Sequence, residues 1–485
     1  MKHTFLILSI AIAGACASPP PERQVIDDAA SALGGAQRVT AVKSIVIQGS
    51  GTNGNLGQDM TPDATGQTFT VSDYTRTMDV SGGRVRIEQT RTPNFTYFQG
   101  QQPQKQVLGV DGDVAYNVAP NGTATRAAEA VAKDRQAELY HHPITMVRAA
   151  LDPMAVLANP RTLGSERIVD ITIGGMRPFT LAIDATSHLP TRVVSMTDNL
   201  NLGDVAIETS FSDYQDVGGL KLPAKMTTKT DKWTTATLQV SKQAVDADAA
   251  GAAAPDAARS AKPPNAAPAA NVTVENLGKG IWFLAGQSHH SVLVEFADHL
   301  MLIEAPQNDT RTLAVIAKAR ELVPGKPLTQ VVNTHHHFDH SGGIRAAVSE
   351  GLGVITNKAN AGFYEDAVKR SHSIVPDALA KNAQPLKLET FDEELALKDA
   401  AMTVNLYHIV GSAHADTLVM AYFPRERILV EADVYSPGGA IAPYAANLLE
   451  NVKKRNLRVD RIVPIHGTIA PFAELVKTAQ AQPAN

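Results

Sequence analysis

The run His335-His336-His337-Phe338-Asp339-His340 places four imidazoles and a carboxylate within six residues. Three more groups of the same chemistry follow: His414 in Gly411-Ser412-Ala413-His414, Asp433 at the end of Ile428-Leu429-Val430-Glu431-Ala432-Asp433, and His466 in Pro464-Ile465-His466-Gly467. Neutral imidazoles and carboxylates suit a divalent cation such as Zn²⁺, with ligand distances of about 2.0–2.2 Å. The residues before the run, Gln330-Val331-Val332-Asn333-Thr334, read as a strand, and Ser341-Gly342-Gly343 leads into a helix. In an extended segment, residues two apart share a face, so His335 and His337 can hold one ion while His336 points away. Asp339 and His340 fall where the chain turns into the helix, within reach of a second ion close by.

Strands alternating with helices must position these groups. Strands are expected at Ile281–Ala285, Ser291–Ala297, Leu300–Glu304, Thr329–Thr334, Met402–Tyr407, Leu418–Phe423, Ile428–Glu431 and Arg461–Ile465. Helices are expected at Thr310–Leu322 and Ile441–Leu457. That alternation defines an α/β domain over 271–485. Upstream, Ala and Pro dominate 247–270, which reads as a linker without core-forming side chains. Residues 25–246 have a different rhythm. After a helix over 25–33, ended by Gly34-Gly35, the pattern alternates with period two, as at Phe69/Val71, Phe179/Leu181/Ile183 and Val205/Ile207/Thr209/Phe211. Such strands bury one face and form antiparallel sheets. A helical insert over 124–158 is expected to supply apolar residues to the sheet's inner face.

Composition narrows the class. With 485 residues, two or three domains are expected. A net charge of −5 leaves no basic footprint, so nucleic acid is not expected as a partner. The single cysteine, Cys16, excludes a disulfide framework. Residues 1–17 read as a secretory signal: Lys2 supplies the charge, and Phe5 to Ala13 is an apolar stretch too short to span a bilayer. Two outcomes remain open at its end, cleavage after Ala15 with lipidation of Cys16, as in bacterial lipoproteins, or ordinary cleavage near Ala15 or Ala17. Either makes the chain exported, as a periplasmic protein or an outer-membrane lipoprotein anchored through Cys16.

The metal-ligand pattern resembles the metallo-β-lactamase superfamily over about residues 272–480. The resemblance implies an αββα sandwich, preceded by a mainly antiparallel β domain, α+β overall. It also implies two Zn²⁺, with iron or manganese as other occupants. One ion takes His335, His337 and His414, the other takes Asp339, His340 and His466, and Asp433 bridges them. The implied reaction is hydrolysis of a small-molecule ester, lactone, thioester or amide, β-lactams included, by a metal-bridging hydroxide that Asp339 orients and whose proton it then carries. Two departures stand out: Glu304 occupies a place where many relatives carry Asp, and the third-histidine loop reads G-S-A-H rather than G-H-T. A second reading from the same superfamily is a mononuclear iron enzyme resembling persulfide dioxygenases. A third comes from Ile183-Asp184 to Leu189-Pro190, Phe211-Ser212-Asp213-Tyr214 and Gly219-Leu220-Lys221-Leu222-Pro223, which resemble outer-membrane lipoprotein carriers. That resemblance implies a half-barrel holding a lipid-like ligand, with the metal domain structural.

Other signals read as structural. Gly49-Ser50-Gly51-Thr52-Asn53-Gly54 matches a dinucleotide fingerprint by letter but lacks the following helix, and is expected to be a turn. His289-His290 precede a strand in a loop that borders the cleft in the fold this resembles; a solvated loop is expected, with a substrate contact as the alternative. Tyr435, Tyr444 and Phe363 are expected to pack in the core, with lining of the pocket as the alternative. The sequence does not reveal the oligomeric state.

Overall fold

A computed structural model describes residues 19–96, 100–264, 270–439 and 441–481. The leader and Cys16 lie outside the described residues.

The N-terminal part is built on one antiparallel sheet of thirteen strands. Its first strand, Ser44–Gly54, lies between the second, Thr68–Asp79, and the last, Trp233–Val245. From this seam the chain meanders outward to Ala124–Arg126 at one edge. It crosses the sheet as two helices, Glu129–Glu138 and Pro143–Ala150, and resumes at the opposite edge with Val156–Leu163. The expected helical insert is therefore helical only between 129 and 150, because the residues on either side of it pair as edge strands. Ile144, Met146 and Val147, all fully buried, join Ile26 and Leu33 of the N-terminal segment in the core against Ile45, Ile47, Leu181 and Val193.

The Gly49–Gly54 segment is strand, not turn. A Cβ on Gly49, Gly51 or Gly54 would come within 2.6 Å of the backbone oxygen of Gln239, Thr237 or Thr234, so the glycines allow close strand approach beside a register shift at 49–51. The Ala-rich stretch also departs from expectation. Ala252, Ala254 and Ala258 are buried against Val114 and Tyr116. Tyr116 donates to the Ala252 carbonyl at 3.1 Å, and Asp111 accepts from Ala254 N at 3.0 Å and from Arg259. Alanine has almost no rotamer entropy to lose on burial, so a stretch without large apolar groups still docks through residue 260.

The C-terminal region has four layers. One sheet of seven strands runs from Thr273–Gly278 to Leu388–Phe391, and a second of six runs from Glu394–Lys398 to Ala470–Pro471. Their inner faces meet through Phe283, Val292, Val294, Ile303 and Val332 on one side and Val404, Leu406, Val419, Phe423 and Val463 on the other. Helices Asp309–Leu322 and Ile344–Ser349 cover the first sheet, and Ala445–Lys454 and Phe472–Ala481 cover the second. Leu300–Ile303 (LMLI) and Ile428–Glu431 (ILVE) are buried along their whole length, as expected for strands covered on both faces. Leu300–Ile303 pairs in parallel with Leu328–Val332, and Ile428–Glu431 with Arg461–Pro464. The chain leaves all four at their C-terminal ends towards Glu304, His335, Asp433 and His466.

Candidate metal centre

Beyond Val332 the chain stays extended through His337, whose backbone caps the short helix Phe338–Ser341. His335, His337 and His340 are fully buried, and Asp433 nearly so. Glu304 and Asp433 both hold positive φ, 78° and 61°. Non-glycine residues there cost of order 1–3 kcal/mol and persist only where surrounding contacts over-determine them. Glu304 is held by four donors: Asn333 Nδ2, Thr334 N at 3.3 Å, Thr334 Oγ1 at 2.6 Å and His340 Nδ1 at 2.9 Å.

These contacts settle which nitrogen of each ring carries the proton. Carboxylate Oε2 of Glu304 accepts from His340 Nδ1 and Asp433 Oδ2 faces His340 Nε2, both at 2.9 Å, so Glu304 holds the Nδ1 proton and Nε2 is the nitrogen that would give up its proton to a cation. Thr334 Oγ1 gives its proton to Glu304 and accepts from His335 Nδ1 at 3.0 Å, leaving the His335 lone pair on Nε2. The backbone carbonyl of Asp59 accepts from His337 Nε2 at 2.9 Å, so the His337 lone pair is on Nδ1. His335 Nε2 and His337 Nδ1 are buried without a hydrogen-bond partner among the described residues. Buried lone pairs without donors are costly unless something electropositive meets them. This donor chemistry fits a divalent cation.

The candidate ligands fall into three overlapping groups whose donor atoms lie within 4.8 Å of one another: His335, His337, His414 and Asp433; Asp339, His340 and Asp433; and His289, Asp339 and His466. All seven residues read from the sequence converge, and Asp433 belongs to two groups. Its Oδ2 lies 2.9 Å from His340 Nε2, 3.2 Å from His414 Nε2 and 3.9 Å from His335 Nε2. His466, however, stands closer to His289 than to His340, with imidazole centroids 4.0 Å apart against 6.5 Å.

His289 is thus not in a solvated loop. It is 4% exposed, with Nε2 3.2 Å from Asp339 Oδ2 and Nδ1 2.9 Å from Ser288 Oγ. Tyr444 packs in the core as expected and also borders the site, its ring 5.4 Å from that of His414 and its hydroxyl on the Thr96 carbonyl at 2.9 Å. Tyr435 packs in the core, and Phe363 lies against the rings of His336 and Phe338.

Electrostatics follow from this crowding. Burial, with neighbouring imidazoles, pushes His335 and His337 well below the ordinary histidine range. Burial also opposes charge on His340, yet Asp433 and Asp339 outweigh it and hold that ring well above the ordinary range. Asp433 and Asp339 are disfavoured as anions by burial. Even so, His340 beside Asp433, and the His289 bond and His340 charge at Asp339, hold both well below the usual carboxylate range. A carboxylate pair and one imidazolium here mark a place where positive charge is strongly favoured.

Residues 285–466 match the family described as the metallo-beta-lactamase superfamily, and the C-terminal region has that family's fold. Among solved structures, the chain is similar to the DIM-1 metallo-beta-lactamase (19% identity, TM-score 0.36, covering 43% of this chain and 95% of that one). It is also similar to a metallo-beta-lactamase from Pontibacter korlensis (19%, TM-score 0.34, 44% and 100%) and to FIM-1 from Pseudomonas aeruginosa in its mono-zinc form (18%, TM-score 0.35, 44% and 96%). The search of curated proteins returned no match.

Proposed function

We propose that the chain is a metal-dependent hydrolase that cleaves an ester, lactone, thioester or amide of a small molecule, with β-lactams among the candidates. The observation that carries this reading is the set of buried lone pairs on His335 Nε2 and His337 Nδ1, converging with His414 on Asp433. His335, His337 and His414 would hold one ion, and Asp339, His340 and His466 a second, with Asp433 between them and His289 beside the second. Zinc is the proposed metal for this donor set. Two bound divalent cations supply hydroxide from water near neutral pH and polarise the substrate carbonyl.

The protein's own groups do the rest. Glu304 fixes His340 and, through Thr334, His335. Asp339 is an acceptor held on both sides, by Gln58 Nε2 at 2.7 Å on Oδ1 and by His289 on Oδ2. Held that way, it orients the attacking water in the leading role assigned to it. Tyr444 flanks the His414 side, where a substrate would lie. The apolar stretch Phe5 to Ala13 supports export, with Cys16 as the proposed lipid anchor if cleavage falls directly before it.

The test is the metal content of the purified chain by inductively coupled plasma mass spectrometry, followed by a screen of lactones, thioesters and β-lactams. About two zinc ions per chain with hydrolysis of one class supports the proposal. A single iron with oxygen consumption would replace it with the oxygenase reading. A chain holding no metal and hydrolysing nothing would leave the site structural.

A further inference from the structure

We propose that the N-terminal part is a working component of the metal centre: the segment between strands Ser44–Gly54 and Thr68–Asp79 delivers Gln58 as the positioning residue for Asp339 and the Asp59 carbonyl as the acceptor that fixes the His337 tautomer. This rests on the metal reading above.

The segment is built as a rigid insert. The Asp59 carboxylate, itself buried, accepts from Met60 N at 2.7 Å and Gln67 N at 2.8 Å. Asn55 accepts from Gln58 N through its carbonyl at 3.0 Å, and its side chain donates to Gln67 Oε1 at 3.2 Å. That framework is pressed onto the metal-binding run. Gly57 sits at φ +74°, and a Cβ there would come within 2.4 Å of the Phe338 ring. Phe338 N donates to the Gly57 carbonyl at 3.1 Å, and Asp416 N donates to the Met60 carbonyl at 2.8 Å. The insert therefore bridges the loop after His337 and the loop after His414.

Its chemistry is specific at each contact. A backbone carbonyl can only accept, so two imidazoles that meet it must both present N–H. The Asp59 oxygen meets His336 Nε2 at 3.0 Å and His337 Nε2 at 2.9 Å. His336 Nδ1 is then the acceptor for Thr417 Oγ1 at 3.1 Å, and His337 Nδ1 faces the cation position. Partners of this kind fix the orientation and basicity of ligating histidines and carboxylates. Here two of them come from a part of the chain some 280 residues earlier, outside the matched 285–466 region.

A second contact from the same sheet locks the placement. Asn201 donates to the Phe338 carbonyl and to Ser341 Oγ, both at 3.1 Å. Asp204 accepts from Ser371 Oγ and Ser373 Oγ at 2.7 Å and from Ile374 N at 3.0 Å, and Arg370 pairs with Asp231 at 2.7 Å. With these neighbouring turns of the insert's sheet anchored as well, Gln58 has little freedom to leave Asp339.

The experiment uses the full chain loaded with Co²⁺, followed by its visible absorption and by competition with a chelator. The variants are Gln58→Ala, Gln58→Leu and, as a control on the centre itself, His335→Ala. Gln58→Leu keeps the side chain's volume and removes only the hydrogen bond. Both Gln58 variants are expected to weaken one cobalt-binding step ten- to hundred-fold, to shift the cobalt spectrum, and to lower kcat while leaving KM near that of the parent. Should Gln58→Ala lose its fold, Gln58→Leu carries the same readout. If the Gln58 variants bind cobalt with the parent's affinity and spectrum while His335→Ala loses an ion, the positioning role is overturned and the metal centre stands. If His335→Ala also binds like the parent, the metal centre itself is wrong.

Discussion

Replacing Glu304 by Gln removes one charge and changes one oxygen for an NH₂, in a fully buried place where four donors converge. The amide has two ways to sit. If its NH₂ replaces Oε1, it opposes Thr334 N, a backbone donor that cannot reverse, and Asn333 Nδ2, which is also committed to the His340 carbonyl at 2.9 Å. If it replaces Oε2, it opposes Thr334 Oγ1, whose hydroxyl can rotate, and His340 Nδ1, which can give up its proton to Nε2. The second arrangement costs less, and it turns an N–H towards the cation position. The variant should therefore bind its second ion ten- to hundred-fold more weakly, about 1.4–2.8 kcal/mol. Loss of hydrogen bonds to a charged group should also lower the stability of the metal-free fold by about 1.5–3 kcal/mol. Chelator competition gives the first quantity and urea unfolding the second, while the ¹⁵N shifts of the imidazole report the tautomer. A Glu304→Gln chain that keeps both ions at parental affinity, with His340 still protonated on Nδ1, would refute the reasoning.

Asp339→Asn should lower kcat by at least tenfold with little change in substrate KM, measured on whichever substrate the screen identifies; near-parental turnover would remove Asp339 from the chemistry. His289→Ala strips Asp339 Oδ2 of its partner at 3.2 Å and should reduce occupancy of the second ion ten- to hundred-fold, read by metal analysis after dialysis. In the N-terminal sheet, His141 lies between Thr209 Oγ1 and Ser195 Oγ at 2.9 and 2.8 Å, and burial pushes it down to about 4. Burial pushes His142 down to about 3. An unfolded histidine titrates near about 6.5, so on acidification the unfolded chain takes up protons that the native chain refuses. Stability is full above that pH and should fall by about 2 kcal/mol per histidine between pH 7 and pH 5. Urea unfolding at the two pH values checks this, and a His141→Gln chain should lose about 2 kcal/mol less than the parent over the same interval.

The ligand run was legible because strand periodicity and residue type coincide at His335 and His337, and because Asp433 and His466 each close a buried apolar strand. Glu304 was visible only as a departure from a pattern, since its role depends on four donors, from Asn333, Thr334 and His340, meeting it in space. The pairing of His289 with Asp339 and His466 was not legible, for a topological reason. Strands Ile281–Ala285 and Ser291–Glu295 pair as a hairpin, and the latter runs antiparallel to Leu300–Ile303, so the 286–290 loop must lie at the Glu304 end. Sequence alone does not reveal that pairing. Gln58 carries no local signal at all: an amide in a polar loop becomes a partner of Asp339 only when two sheets are brought together. The glycines at 49–54 and the alanines at 252–258 were misread for one shared reason, that small side chains mark close approach as readily as they mark turns and linkers.

The seam of the thirteen-stranded sheet has a consequence for the order of folding. Ile45 pairs with Val245, so the first strand is completed by the last, some 200 residues later. Contacts so distant in sequence are slow to form, because the chain must close the loop before any pairing rewards it. Until Trp233–Val245 arrives, one edge of Ser44–Gly54 is a row of unsatisfied amides and carbonyls open to other chains. The strand that waits is the one that leads directly into Gln58 and Asp59. The C-terminal layers can assemble from nearer neighbours, so maturation of the centre would be limited by the late pairing of the first and last strands of the N-terminal sheet. A side chain on Gly51, which would collide with the Thr237 carbonyl, would obstruct that pairing and with it the placement of Gln58 and Asp59.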